Sequence, residues 1–368
     1  MSKHQISKEW LTEQLYYAYL DAKKRKQATC DEFKFEMNWM RNLDLLADDI
    51  LERTYKPSRG VAFIVKKPVI REIFAAPFRD RVVHHFLYNE VADWWDRRLI
   101  YNSFSCRKGK GTKFGIERLQ KDIRQVSQGY RKETYVIMAD IQGYFMSLDR
   151  KKLYERICWG LDRQFPKGGV KYKLLKYLWK EIIFDDPVRG VKRRQPISLW
   201  KLLPFSKSLF HQPKGKGIVI GNLSSQLLSN IYLDQLDRFV SLELGYKHYG
   251  RYVDDVYIVV TKDQLSQAVK DLDAISEYLS GLGLTLHPNK RHIQDVKKGV
   301  GFLGVVIYPF GLVPGKRVKM NFYQAVQACA MGKKGPETIT SYLGAFKHLK
   351  AKKFVKKVFD SVGWDYLW

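Results

Sequence analysis

Three aspartates stand where an acid is costly. Asp140 closes the apolar run Tyr135-Val136-Ile137-Met138-Ala139, and Asp254 and Asp255 sit between the strand runs His248–Tyr252 and Val256–Val260. An acid there must be solvated, paired or bound to a cation. Hard oxygen ligands on rigid strands suit Mg²⁺, with substrate phosphates completing its octahedron. Two such ions, ~3.5–4 Å apart, activate an attacking 3′-oxygen and stabilise a leaving pyrophosphate. An Asp-Asp pair can equally be a solvated turn, so the neighbouring residues must decide.

The chain around these acids reads as helices and strands in alternation. At 368 residues it has room for about two domains. The first fifty residues read as helices. Leu11, Leu15, Ala18 and Tyr19 recur at helical spacing, and Met37, Met40, Leu43, Leu45 and Leu46 mark a second apolar face. Val61–Val65 and Ile70–Ala75 read as strands joined by a Lys66-Lys67-Pro68 turn. An aromatic-rich helix runs from about Arg79 to Asp96, and another from about Ser225 to Leu242. Asp254-Asp255 falls at the tip of a hairpin. A helix near Leu265–Leu279 follows, then strands near Leu284–Leu286 and Gly301–Ile307. This pattern predicts an α+β catalytic core flanked by helical regions.

Lys plus Arg is 65 against 38 Asp plus Glu, a net charge of +27, so a polyanion is the expected partner. The excess is local as well as global. Residues 187–216 hold eight Lys or Arg and no acid, and residues 289–357 hold fifteen against two acids. A hydrophobic fraction of 45% excludes general disorder. No apolar run approaches the ~20 residues a membrane span needs, and the start of the chain has no signal-peptide stretch. Cys30, Cys106, Cys158 and Cys329 form no Cys-x-x-Cys pair, which argues against zinc and disulfides and fits a reducing cytoplasm. His84-His85 on an aromatic helix reads as a packed pair.

The neighbours of the aspartates carry a resemblance. Arg251-Tyr252-Val253-Asp254-Asp255 resembles the Tyr-x-Asp-Asp hairpin of reverse transcriptases, and Val136–Phe145 resembles their first catalytic strand. Arg71–His84 is similar to the fingers segment of the bacterial enzymes, and Ser103–Thr112 is similar to the segment that follows it. Leu284–Lys290 and Gly301–Gly304 are similar to the late palm motifs. Six motifs in the right order, over about residues 60–310, make the signal specific where any one alone would be weak. The resemblance implies a right-hand polymerase fold. It places N-terminal helices and fingers at 1–133, a palm at 134–309 that includes the basic connection 187–216, and a basic helical thumb at 310–368. The same resemblance leaves no room for an RNase H, integrase or endonuclease domain.

It also implies roles. Asp140, Asp254 and Asp255 would hold two Mg²⁺ ions, with Mn²⁺ as a substitute and the Ile141 carbonyl as a further ligand. Arg71 and Lys66 would meet the incoming triphosphate as fork and point charges. Phe145, five residues after Asp140, would be a steric gate against a ribose 2′-hydroxyl. Lys290 would protonate the leaving pyrophosphate. Arg107, Lys108 and Lys110 stand in a Gly-rich run that lacks the Gly-Lys-Ser/Thr ending of a P-loop, so nucleic-acid backbone is their expected contact. Lys192, Arg193 and Arg194 would join them.

One departure is informative. Most reverse transcriptases carry Gln-Gly-x-x-x-Ser-Pro, whereas this chain has Ile220-Gly221-Asn222-Leu223-Ser224-Ser225-Gln226. Ile220, Gly221 and Gln226 in this form resemble the enzymes of diversity-generating retroelements, from bacteria or their phages. These copy a template-repeat RNA into cDNA with frequent errors opposite adenine, and they work with a small basic ring-forming accessory protein. Template RNA, cDNA and dNTPs are the other implied partners. The rival readings are a retron-type, group II-like or phage-defence reverse transcriptase and, outside enzymes, a catalytically silent RNA-binding scaffold.

Overall fold

The computed structural model describes residues 6–24, 28–66 and 69–365. Lys67 and Pro68 of the expected turn, and Trp368 at the expected thumb end, lie outside them. In chain order the described strands are β1 (Val61–Val65), β2 (Arg71–Ala75), β3 (Thr134–Asp140), β4 (Lys192–Arg193), β5 (Tyr249–Tyr252), β6 (Asp255–Thr261), β7 (His292–Asp295), β8 (Val300–Phe302), β9 (Val305–Tyr308) and β10 (Gly311–Pro314). The expected α+β class is met. Two compact units form, each from separated stretches. One draws on Met1–Arg107, Ile141–Glu243 and Ile275–Leu286, the other on Lys108–Asp140, Leu244–Ala274 and His287–Trp368.

The first unit is mainly helical. Ser7 caps the helix Lys8–Lys23 by accepting from the Trp10 amide at 3.2 Å, and Leu11, Leu15, Ala18 and Tyr19 are its buried stripe. The second apolar face is not as expected. Leu43 and Leu46 are buried, but Met37, Met40 and Leu45 are exposed. The helix Trp39–Leu51 buries the stripe Leu43, Leu46, Ala47 and Ile50; Leu45 falls off that stripe, Met40 lies in the first turn, and Met37 lies in the break after the helix that ends at Glu36. The helix Leu223–Arg238 is buried along nearly its whole length, with Ser224, Ser225, Ser229 and Asn230 allowing close approach. β1 pairs antiparallel with β2 and parallel with β4.

His84 lies inside this unit, on the helix Phe78–Arg98, and shares a 2.8 Å hydrogen bond through Nδ1 with the Ser224 hydroxyl. Burial, and then the charge of His85, push its pKa down to about 3. Between that value and the ordinary 6.5, the unfolded chain takes up a proton that the folded chain refuses. This histidine therefore removes stability as pH falls below about 6.5, by about 1.4 kcal/mol at one pH unit below it. Denaturant titrations at pH 7.5 and 5.5 should show the parent losing about that much more than His84→Gln. Equal losses in the two proteins would show that the ring is not held neutral.

The second unit carries an antiparallel sheet in the order β5-β6-β3-β7. The helix Thr112–Val126 covers it with Ile116, Leu119 and Ile123. Its Asp122 is fully buried, accepting from the Tyr257 hydroxyl at 3.0 Å and pairing with Arg118 at 3.2 Å. The expected strand Gly301–Ile307 is two strands, β8 and β9. They turn at Leu303-Gly304, both with positive φ. The expected strand Leu284–Leu286 reduces to a single bridge, Leu286 to Ile141, within the first unit. Helices Lys316–Ala330, Glu337–Phe346 and Lys352–Asp360 close their own core around Phe322, Val326, Phe346 and Val355. Among the described residues, no helix is long and apolar enough to cross a membrane.

Candidate active site

The second unit assembles the aspartates through strand register. β3 runs antiparallel to β6 with Ala139 opposite Val256, so Asp140 falls opposite Asp255. β5 and β6 form a tight hairpin with Tyr252 opposite Asp255, leaving Val253 and Asp254 as the turn. Val253 holds φ at 59°, a left-handed conformation rarely adopted by a β-branched residue. The fully buried Arg251 helps keep it there, donating from Nη1 to the Val253 carbonyl at 2.9 Å. Strain of this kind persists only where the surroundings impose it. Here it presents two consecutive carboxylates beside a third.

The electrostatics are those of crowded acids. The Asp254 carboxyl is pushed up to about 7 by loss of water around it, then by the charges of Asp255 and Asp140. Asp255 is pushed up to about 6 by the same loss and by Asp140, with Lys290 and Arg317 pulling it back. Solvent still reaches the pair, since Asp255 is exposed and Asp254 half-buried by surface area. Lys290 Nζ donates to Asp140 Oδ2 at 2.9 Å. The segment carrying it is pinned by the His287 amide, which donates to the Asp140 carbonyl at 2.7 Å. The structure thus brings Asp140, Asp254, Asp255 and Lys290 together.

These residues fit Mg²⁺ by donor chemistry. All the acceptors are hard carboxylate oxygens, raised first by loss of water and then by their mutual repulsion, and a divalent cation would offset both. Among the described residues, no group of three or more His, Cys, Asp and Glu is placed to hold a metal ion by itself.

The first unit gathers a different set. Lys66 follows β1 and Arg71 opens β2; both are exposed. Phe145 and Ile220 are partly buried against one cluster that includes Ala62, Phe74 and Met146. The run Ile218–Ile220 is tied at both ends. The Ile218 amide donates to the Phe145 carbonyl at 2.9 Å, and the Phe74 amide donates to the Ile220 carbonyl at 3.0 Å. Gly221 is required there, because a Cβ would lie 2.5 Å from the Phe74 carbonyl oxygen at a φ of 137°. Gln226 is exposed in the first turn of its helix. Ile141 is buried next to Asp140 in sequence.

The basic residues divide. Arg107 is corrected from a backbone contact to a structural residue. Its side chain is only 6% exposed, and it donates to Asp96 Oδ1 at 2.6 Å and to the carbonyls of Asp96, Ile100 and Ser103. A guanidinium so bonded has little left for phosphate. Lys108, in the second unit, is exposed, and Lys110 there lies over Phe114 at 5.6 Å. Lys192, Arg193 and Arg194 are exposed, with the Arg193 guanidinium 3.9 Å from the Phe210 ring centroid.

The sequence pattern did not reveal Glu72. It is fully buried and accepts from Trp200 Nε1 at 2.7 Å, the Ser208 hydroxyl at 2.9 Å and the Leu209 amide at 2.7 Å. An acid at a core-facing position of a strand was the available signal. Glu72→Ala would strand three buried donors, each costing about 1–3 kcal/mol.

Residues 65–307 match the family model described as reverse transcriptase (RNA-dependent DNA polymerase). A solved structure of telomerase from Candida tropicalis, in complex with a TWJ fragment of telomeric RNA, is similar at a TM-score of 0.48 and 13% identity, covering 84% of this chain and 56% of that one. The chain therefore spans little more than half of that structure's length. A search of the curated proteins finds no match.

Proposed function

The chain belongs to the reverse transcriptase family, and from that premise we propose that it is the polymerase of a diversity-generating retroelement. In this reading it copies a template-repeat RNA into cDNA with errors concentrated opposite adenine. The observation that supports polymerisation is the register that sets Asp140 opposite Asp255 with Asp254 in the adjoining turn. Bound at these carboxylates and the Ile141 carbonyl, Mg²⁺ or Mn²⁺ would activate the primer 3′-hydroxyl and neutralise the leaving pyrophosphate. The chain's own residues supply the rest. Arg71 and Lys66 take the triphosphate charge. Lys290, bonded to Asp140, is the proton donor to the leaving group in this reading. Lys108, Lys110, Lys192, Arg193 and Arg194 serve the nucleic-acid backbone. Fingers at 1–133, palm at 134–309 and thumb at 310–368 remain the functional division of this reading.

The sugar is read by Phe145. Its ring is held between the Tyr144 ring, 5.4 Å away, and the cluster it shares with Ile220. A fixed ring excludes a 2′-hydroxyl better than a mobile one, because it cannot step aside. Phe145→Ala should lower the dNTP/rNTP ratio of kcat/KM by roughly tenfold to a hundredfold. Steady-state incorporation of dCTP and CTP on one primed template measures it. An unaltered ratio assigns Phe145 to the core alone.

Infidelity is supported by Ile220 and Gln226, where the wider family carries Gln and Pro. The small basic ring-forming accessory protein is the remaining partner, and RNA between the two basic proteins would offset their repulsion. Sequencing of cDNA made from a single template RNA tests the whole reading, through errors that gather opposite adenine.

A further inference from the structure

The basic connection 187–216 folds into a fixed surface. β4 aligns it beside β1, and Gln195 extends that pairing by accepting from the Ile64 amide at 2.7 Å. Buried Glu72 then clamps it through Trp200, Ser208 and Leu209. Its short helical turns start after Pro196 and Pro204, whose rings fix φ at −56° and −57°. Trp200, Leu203 and Leu209 point into the core.

What is left outside is unusual for a solvated connection. Phe205 is 73% exposed, Ile197 62% and Leu202 60%. Phe205 meets His211 edge-on at 4.4 Å, which steadies the ring while leaving it open. Lys201 and Lys207 flank it, both exposed, in a stretch with no acid at all. Exposed rings among unopposed cations are the recipe for binding single strands: bases stack on the rings and phosphates meet the ammonium groups. A protein partner for the same surface would have to be acidic. An aromatic ring set edge-on to a second one, with lysines on either side, favours the nucleic acid.

We propose that residues 197–211 form a docking platform for unpaired RNA, with a base stacked on Phe205 and backbone phosphates on Lys201 and Lys207. The identity of the strand as RNA rests on the polymerase reading; the platform itself does not.

Binding of a fluorescein-labelled oligouridylate to the full chain, without dNTPs, tests it by anisotropy. Phe205→Ala should weaken binding by roughly 5- to 100-fold, and Phe205→Trp should restore it. A duplex RNA of the same length should bind both variants as it binds the parent. The double variant Lys201→Gln/Lys207→Gln should flatten the slope of log affinity against log salt by about 1.4. Because these side chains are exposed, the variants should melt with the parent. In a second measurement, an oligouridylate carrying 5-iodouridine should photocrosslink to Phe205 or His211. Unchanged affinity and slope would overturn the proposal and leave the surface to an acidic protein. Equal losses on single-stranded and duplex RNA would also overturn it, as would failure of Phe205→Trp to restore binding. If only the polymerase reading fails, primer extension is absent in the parent while these binding differences remain.

Discussion

Asp254→Asn is expected to lower dNTP incorporation by roughly a thousandfold or more, about 4 kcal/mol in the barrier, while RNA binding stays at the parent level. The amide preserves shape in the Val253-Asp254 turn but removes a charge that a divalent cation needs. The same substitution should raise stability. The Asp254 carboxyl lies well above its ordinary range, at about 7, so its ionised form is disfavoured by the fold. Linkage makes that a penalty present above the folded value and absent below the ordinary one. At pH 8 and in chelator, the variant should therefore melt above the parent. Higher stability joined to lost activity separates a missing ligand from an unfolded site. Primer extension with Mg²⁺, RNA anisotropy and thermal melting at pH 8 decide it. Activity retained at about a tenth of the parent rate would remove Asp254 from the metal site, since a lost charge costs far more than that.

The strands that carry the aspartates were legible because apolar runs ending in acids have few physical explanations. β3 and the β5–β6 hairpin follow the expected limits closely, and their pairing brings the three expected aspartates together. Local pattern failed where a backbone break reset the phase. Met37 looked like core because the chain was read through a helix end at Glu36, and Leu45 because it adjoins the buried Leu46 while falling off the stripe Leu43, Leu46, Ala47 and Ile50. Gly301–Ile307 looked like one strand because its turn consists of Leu303 and Gly304, without the usual Asn-Gly or Asp-Gly signal.

Charge was legible in amount but not in use. Arg107 and Lys108 are neighbours in one basic run, yet one is bonded inside its unit and the other is exposed. Only tertiary structure separates a guanidinium that satisfies carbonyls from an ammonium available to phosphate. Glu72 shows the converse. In the run Arg71-Glu72-Ile73 it reads as one more polar strand residue, but its partners lie over a hundred positions away, at Trp200, Ser208 and Leu209. No periodicity encodes a clamp of that range.

The second large effect concerns fidelity at Ile220. Its carbonyl is held by the Phe74 amide and its side chain packs on the cluster that also holds Phe145, so this residue is fixed and apolar at once. Ile can neither donate nor accept a hydrogen bond through its side chain, and a misaligned nucleotide loses nothing against it. A glutamine amide there would bond to a well-placed nucleotide or template group and go unpaired beside a misplaced one. Ile220→Gln should therefore reduce misincorporation opposite adenine by roughly tenfold, about 1.4 kcal/mol of restored discrimination. Some loss of rate is expected, because a longer polar side chain crowds a partly buried position. Gln226→Pro should change base choice less, since its effect falls on the entry of the Leu223–Arg238 helix. The measurement is deep sequencing of cDNA from one template RNA copied by the parent and both variants. Low, base-independent error in the parent would sink the diversity-generating reading and favour a retron-like or group II-like enzyme. Adenine-biased error that is the same in Ile220→Gln would keep that reading and move the source of infidelity away from Ile220.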